Sequence, residues 1–138
     1  MLEFNLFLID YWYFSVPLFF FIFLFAYSEM NKGGKKIEPN ELTRLVNKES
    51  AILIDLRKKE DYENGHIMTA LNYPHQEFDN QMHELEKFKD RPIILVCDMG
   101  RNSANIGEKL KKAEFKETFR LNGGMMTWTQ ENLPVVQK

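Results

Sequence analysis

The residue best suited to covalent chemistry in this chain is its one cysteine, Cys97. It ends an apolar run, "IILVC", and the stretch after it, "DMGRNSANIGEKL", turns through Gly100 and Arg101 into a helix-like pattern. A thiol at a strand-to-helix turn sits where backbone N–H groups and a helix dipole can hold negative charge. The N–H groups of Asp98, Met99, Gly100, Arg101, Asn102 and Ser103 could converge on the sulfur, with Gly100 supplying the freedom for a tight curl. Such a cradle would stabilise a thiolate or a sulfur-bound anion without a histidine base close by in sequence. The competing reading is plainer: a lone cysteine after an apolar strand can be only a small buried hydrophobe.

Composition narrows the chemistry further. Among 138 residues there are 18 Lys and Arg against 20 Asp and Glu, a formal net charge of −2. No basic field is present to draw in nucleic acid. A single cysteine forms no internal disulfide, and no Cys/His spacing points to structural zinc, so neither a metal nor an organic cofactor is expected. The lone thiol favours a reducing compartment for the folded part.

Strands and helices must position that thiol, and from Ile37 onward they alternate. "AILIDL" (Ala51 to Leu56) and "RPIILVC" read as buried parallel strands, with "ALNYP" and "TFRL" as shorter extended pieces. Between them, "NELTRLVN" after Pro39, "KKEDYENGHI" ending at Gly65, "EFDNQMHELEKF" and "SANIGEKLKKAEF" read as helices, and Gly123-Gly124 leads into a last one around Trp128. This alternation predicts an α/β domain: a small parallel sheet with helices on both faces. In such sheets chemistry gathers at the carboxyl ends of the strands, which is where Cys97 falls. His75 and His83 read as solvated surface residues, and Met125-Met126 as packing rather than a metal site.

The first quarter of the chain is different in kind. Tyr11 to Tyr27, "YWYFSVPLFFFIFLFAY", carries no charge, and much of the chain's complement of 12 Phe crowds there. A membrane helix needs about 20 apolar residues, and aromatic rings at both ends resemble interfacial belts. Pro17 is expected to kink the span rather than break it. Glu3 and Asp10 precede the run, while Lys32, Lys35 and Lys36 follow it, which places the N-terminus outside and the rest in the cytoplasm. The expected layout is a single-pass anchor over residues 1–31, a flexible Gly-Lys linker over 32–37 and a domain over 38–138.

Taken in order, "ILIDLR…DYENGHI…ALNYP…IILVCDMGRNSA…LNGGMMTW…NLPVV" resembles the rhodanese (sulfurtransferase) family, most closely its bacterial members with an N-terminal membrane segment. The resemblance spans Ile37 to Val136. It implies that Cys97 takes a sulfane sulfur from a thiosulfate-like donor, becomes a persulfide and passes the sulfur to a thiol or to cyanide. It implies that Asp55 and Arg57, in the family's D-x-R, support the domain, with Arg57 near the loop. His66 matches the family's G-H-I turn beside Gly65, Asn72 and Pro74 match A-x-N-x-P, and Gly123, Gly124 and Trp128 match the closing GG…W.

The loop departs from the family in one respect. Where the family has C-x-x-G-x-R, this chain has Asn102 in the arginine's place and the arginine one residue earlier, at Arg101. Asp98 also adds negative charge beside the sulfur, which opposes thiolate formation and repels thiosulfate. A phosphatase-like loop, Cys-x5-Arg, is excluded because that position is Ser103. Two functions are therefore expected to compete: a membrane-tethered sulfurtransferase, or a weakly active or inactive rhodanese-like module that binds a membrane-protein partner.

Overall fold

In the sheet, strand residues alternate between two apolar layers, and this alternation sets the architecture. The computed structural model describes residues 2–30 and 32–137, with the side chains of Met30 and Arg101 outside that description. It divides into two units, Met1–Asn31 and Lys32–Lys138.

The second unit is built on a five-stranded sheet in which every pairing is parallel, in the order β1-β5-β4-β2-β3. The strands are β1 (Lys35–Ile37), β2 (Ile52–Asp55), β3 (Leu71–Asn72), β4 (Ile93–Val96) and β5 (Thr118–Leu121). On one face Leu53, Ile94, Val96 and Leu121 pack against Leu42 and Leu45 of helix α3 (Pro39–Lys48), and against Met125 and Trp128 of α7 (Gly124–Gln130). On the other face Ile54, Ile93, Leu95 and Cys97 meet Phe78 and Leu85, together with Ile106 and Leu110 of α6 (Arg101–Lys112). The whole of β4 is buried, as a near-continuous apolar run in a doubly covered parallel sheet should be. Each fully buried Leu or Ile there contributes about 1.5–3 kcal/mol. The expected α/β fold, with a parallel sheet between two helical layers, is the one observed.

Two expectations need correction. The segment 32–37 was expected to be a flexible linker, yet Lys35–Ile37 pairs in parallel with Phe119–Leu121 as an edge strand. The two glycines before it serve contact rather than slack. Gly33 crosses α6 at Gly107, where any Cβ would overlap the Gly33 carbonyl, and the Gly33 N–H donates to Glu108 Oε1 at 2.7 Å. "EFDNQMHELEKF" is likewise not one helix. After a 3-10 turn (His75–Glu77) it forms a single α turn, α5 (Phe78–Gln81), and then a 3-10 segment (Met82–Phe88). Met82, Leu85 and Phe88 recur every third residue, which suits a 3-10 turn as well as a helix face. The remaining helix, α4 (Lys59–Asn64), ends at Gly65 as expected.

The first unit comprises α1 (Leu2–Asp10) and α2 (Trp12–Met30). The helical path breaks at Tyr11, whereas α2 runs through Pro17 without interruption. Trp12–Glu29 is long and apolar enough to cross a membrane, and none of that window is buried within the structure.

The close crossing of Gly33 over Gly107 yields a stability prediction. Gly107→Ala forces one backbone away from the other and should cost about 1–3 kcal/mol, as overpacked contacts do. Denaturant titration of the full chain in detergent reads the loss, and unchanged stability would show that the β1 crossing is not held there.

Candidate active site around Cys97

Cys97 follows the last residue of β4 and is 2 % exposed. Its sulfur accepts the Gly100 N–H at 2.8 Å. Gly100 caps α6 with φ of 87°, in the left-handed region that favours glycine, and so bends the chain back toward the thiol. Ser103, fully buried in the first turn of α6, donates its hydroxyl to the Gly100 carbonyl at 2.9 Å and braces the same turn. From the opposite side the Met125 N–H donates to the Cys97 carbonyl at 2.8 Å, and the Met126 N–H to the Asp98 carbonyl at 3.0 Å. The loop is thus fixed at three successive points, and its sulfur faces a helix N-terminus, a region of positive potential.

The thiol opens into a cavity of about 180 Å³ lined by Leu56, Arg57, Lys58, Asp61, His75, Cys97, Asp98 and Asn102. Of the residues singled out from the sequence, the fold brings Arg57, Asp98 and Asn102 to that cavity. Met99 is half exposed, and the backbone at Arg101 opens α6 while its side chain lies outside the described residues. His66 is absent from the cavity lining. It is buried against Tyr62, with ring centroids 3.8 Å apart, and its backbone bridges to Val136, which fits a turn histidine.

Asp55 and Arg57 form a buried pair beside the cavity. The Arg57 guanidinium donates to both Asp55 carboxylate oxygens, the shortest contact being 2.8 Å, and to the Gly65 carbonyl at 2.6 Å. Asn72 ties the same segment, donating to the carbonyls of Asp55 and Arg57. Burial, and then the negative charge of Asp55, push the Tyr62 phenol above its ordinary range. Arg57 is therefore held in place by architecture while one side of it reaches the cavity.

Three polar lining residues were not anticipated: Lys58, Asp61 and His75. His75 was expected in solvent, but Pro74 turns the chain so that its Nδ1 lies 3.2 Å from the Leu56 carbonyl and the ring faces the thiol cavity. Nothing local in sequence marks these three, because they converge on Cys97 only through the β2–α4 and β3 connections. Charge at the mouth is mixed, with Arg57 and Lys58 against Asp61 and Asp98. Among the described residues no group of His, Cys, Asp or Glu could hold a metal ion.

The rhodanese-like domain family matches residues 38–131. The chain belongs to the rhodanese-like domain family. It is 36 % identical to the uncharacterized protein YibN of Escherichia coli K12 over 123 residues, covering 88 % of this chain and 86 % of that protein. It is 28 % identical to the thiosulfate sulfurtransferase GlpE of Shewanella oneidensis over 98 residues, 71 % of this chain and 95 % of that enzyme. Among solved structures, a rhodanese-related protein from Thermoplasma volcanium superposes with a TM-score of 0.68 at 24 % identity, covering 75 % of this chain and 99 % of the other. The chain thus carries a rhodanese fold with sulfurtransferase relatives, which supports sulfurtransferase-type chemistry.

Removing one partner of the buried ion pair leaves the other charge stranded. Asp55→Ala should destabilise the domain by about 3–5 kcal/mol. Chemical denaturation monitored at Trp128 measures this, and a loss below 1 kcal/mol would mean that the pair behaves as a solvated one.

Proposed function

We propose that this protein is a membrane-tethered sulfurtransferase that carries sulfane sulfur on Cys97. The Gly100 N–H donated to a buried sulfur at the start of α6 is the observation that carries the reading. In the first half-reaction the Cys97 thiolate attacks the outer sulfur of a thiosulfate-like donor. A new S–S bond forms, the donor's S–S bond breaks, and its electron pair leaves with sulfite. In the second, a thiolate or cyanide attacks the outer sulfur of the persulfide, so that a low-molecular-weight persulfide or thiocyanate departs and the Cys97 thiolate is regenerated. The Gly100 amide and the N-terminus of α6 hold the negative charge present at both stages. Arg57, Lys58 and Asn102 line the side from which donor and acceptor approach.

Residues 11–27 provide the tether. Large apolar side chains along α2, such as Phe19, Phe21, Phe23 and Phe25, are exposed, which suits lipid rather than water. The lysines that follow favour a cytoplasmic domain at a bacterial inner membrane with the N-terminus outside. A C-terminal alkaline phosphatase fusion, active only outside the cytoplasm, should therefore stay silent, and an active fusion reverses the topology.

One observation supports a second reading. Asp61 and Asp98 both line the thiol cavity, and two carboxylates there disfavour a dianionic donor. The alternative is a weakly active rhodanese-like module that meets a membrane-protein partner. Sulfite release from thiosulfate by the full chain in detergent separates the two. Cys97→Ser should abolish release, and Asp98→Asn should raise kcat/KM about threefold to tenfold at low salt. No release from either the wild type or Asp98→Asn favours the module.

A further inference from the structure

A buried arginine stands on the strand next to β4. Arg120, in the middle of β5, is 5 % exposed. It pairs in register with Leu95 of β4, and Leu95 and Cys97 share the face that packs against α6. Its neighbours in the strand, Phe119 and Leu121, point to the opposite layer, so the Arg120 side chain lies on the cysteine's side of the sheet. The guanidinium is held from the edge, where its Nε donates to the Gly34 carbonyl at 3.1 Å. The adjoining residue, Gly33, donates its N–H to Glu108 of α6 at 2.7 Å. Arg120 and Cys97 thus lie under α6, and the segment that follows residue 31 clasps Arg120 and Glu108 of α6.

We propose that Arg120, buried on the strand next to β4 and on the same face of the sheet as Cys97, is a positioning residue that supplies the cationic field for the Cys97 thiolate and persulfide. The charge comes from the neighbouring strand, on the sulfur's own side of the sheet, rather than from the loop in front of it. This deepens the sulfur-carrier reading and rests on it. Burial pulls the Arg120 guanidinium below its ordinary range, while the negative charges of Cys97 and Glu108 act in the opposite sense. The interaction is mutual, because a cation favoured by a thiolate favours that thiolate equally. Among the described side chains, the other charged or titratable groups lining the thiol cavity are Arg57 and Lys58 after β2, Asp61 on α4, His75 after β3 and Asp98 in the loop. Lys36 of β1, opposite Arg120 in register, is exposed. Of the charged side chains described around the sulfur, Arg120 belongs to the strand next to β4, where the local dielectric is low and a charge acts strongly.

The test uses the full chain in detergent and measures the rate of Cys97 alkylation by iodoacetamide from pH 5.5 to 9, with melting followed in parallel. Alkylation reads the thiolate without any sulfur donor, so it can fail or succeed independently of sulfur transfer. Folded Arg120→Met should react about tenfold more slowly near neutral pH, with its profile displaced upward, and Arg120→Lys should recover most of the rate. Glu108→Gln, which keeps the arginine and removes its competing carboxylate, should displace the profile downward. It keeps the test decisive even if Arg120→Met fails to fold. A wild-type profile in folded Arg120→Met, equal losses in the Met and Lys variants, or an unmoved profile in Glu108→Gln overturns the proposal.

Discussion

A sulfur removed from water at the end of a central strand holds negative charge only where positive potential replaces the lost solvent. That constraint organises this domain. The Gly100 N–H reaches the sulfur because Gly100 takes a left-handed φ, and Gly100 is held because Ser103 and the first amides of α7 fix the loop on either side. Each of those contacts depends on β4 being buried between two helical layers, so that the strand ends at one place and α6 begins at one angle. The sheet's alternating faces place Leu95 and Cys97 against α6, and place Arg120 on that same side.

The second constraint is the segment after residue 31. Its close passage over Gly107, its bond to Glu108 and its carbonyl on Arg120 make it part of the sheet rather than a tether. The residues that connect the domain to the apolar helices also order the charges on the cysteine's face of the sheet. The family's arginine position in the loop holds Asn102 in this chain, and a buried arginine on β5 lies on the cysteine's side of the sheet.

Much of this was legible in the sequence, and for identifiable reasons. "IILVC" is apolar, short and followed by a glycine turn, which are the marks of a buried parallel strand feeding a helix. Arg57, Asp98 and Asn102 fall at the thiol cavity because each follows a strand's carboxyl end by a few residues. β1 was missed because "KKI" has no period and sits behind a glycine pair, so its strand character comes wholly from pairing with β5. His75 was misplaced because a histidine in a polar, helix-like stretch carries no sign of direction until Pro74 turns it. Arg120 did leave a trace: an arginine between two apolar residues in "TFRL" is an expensive residue for a covered strand.

Intact mass spectrometry of the full chain after exposure to thiosulfate tests the central claim most directly. The account predicts one added sulfur on the wild type, localised to Cys97, removed by a thiol reductant and absent from Cys97→Ser. A wild-type chain that reacts with iodoacetamide at Cys97, yet gains no sulfur from thiosulfate or from a small-molecule persulfide, would contradict it.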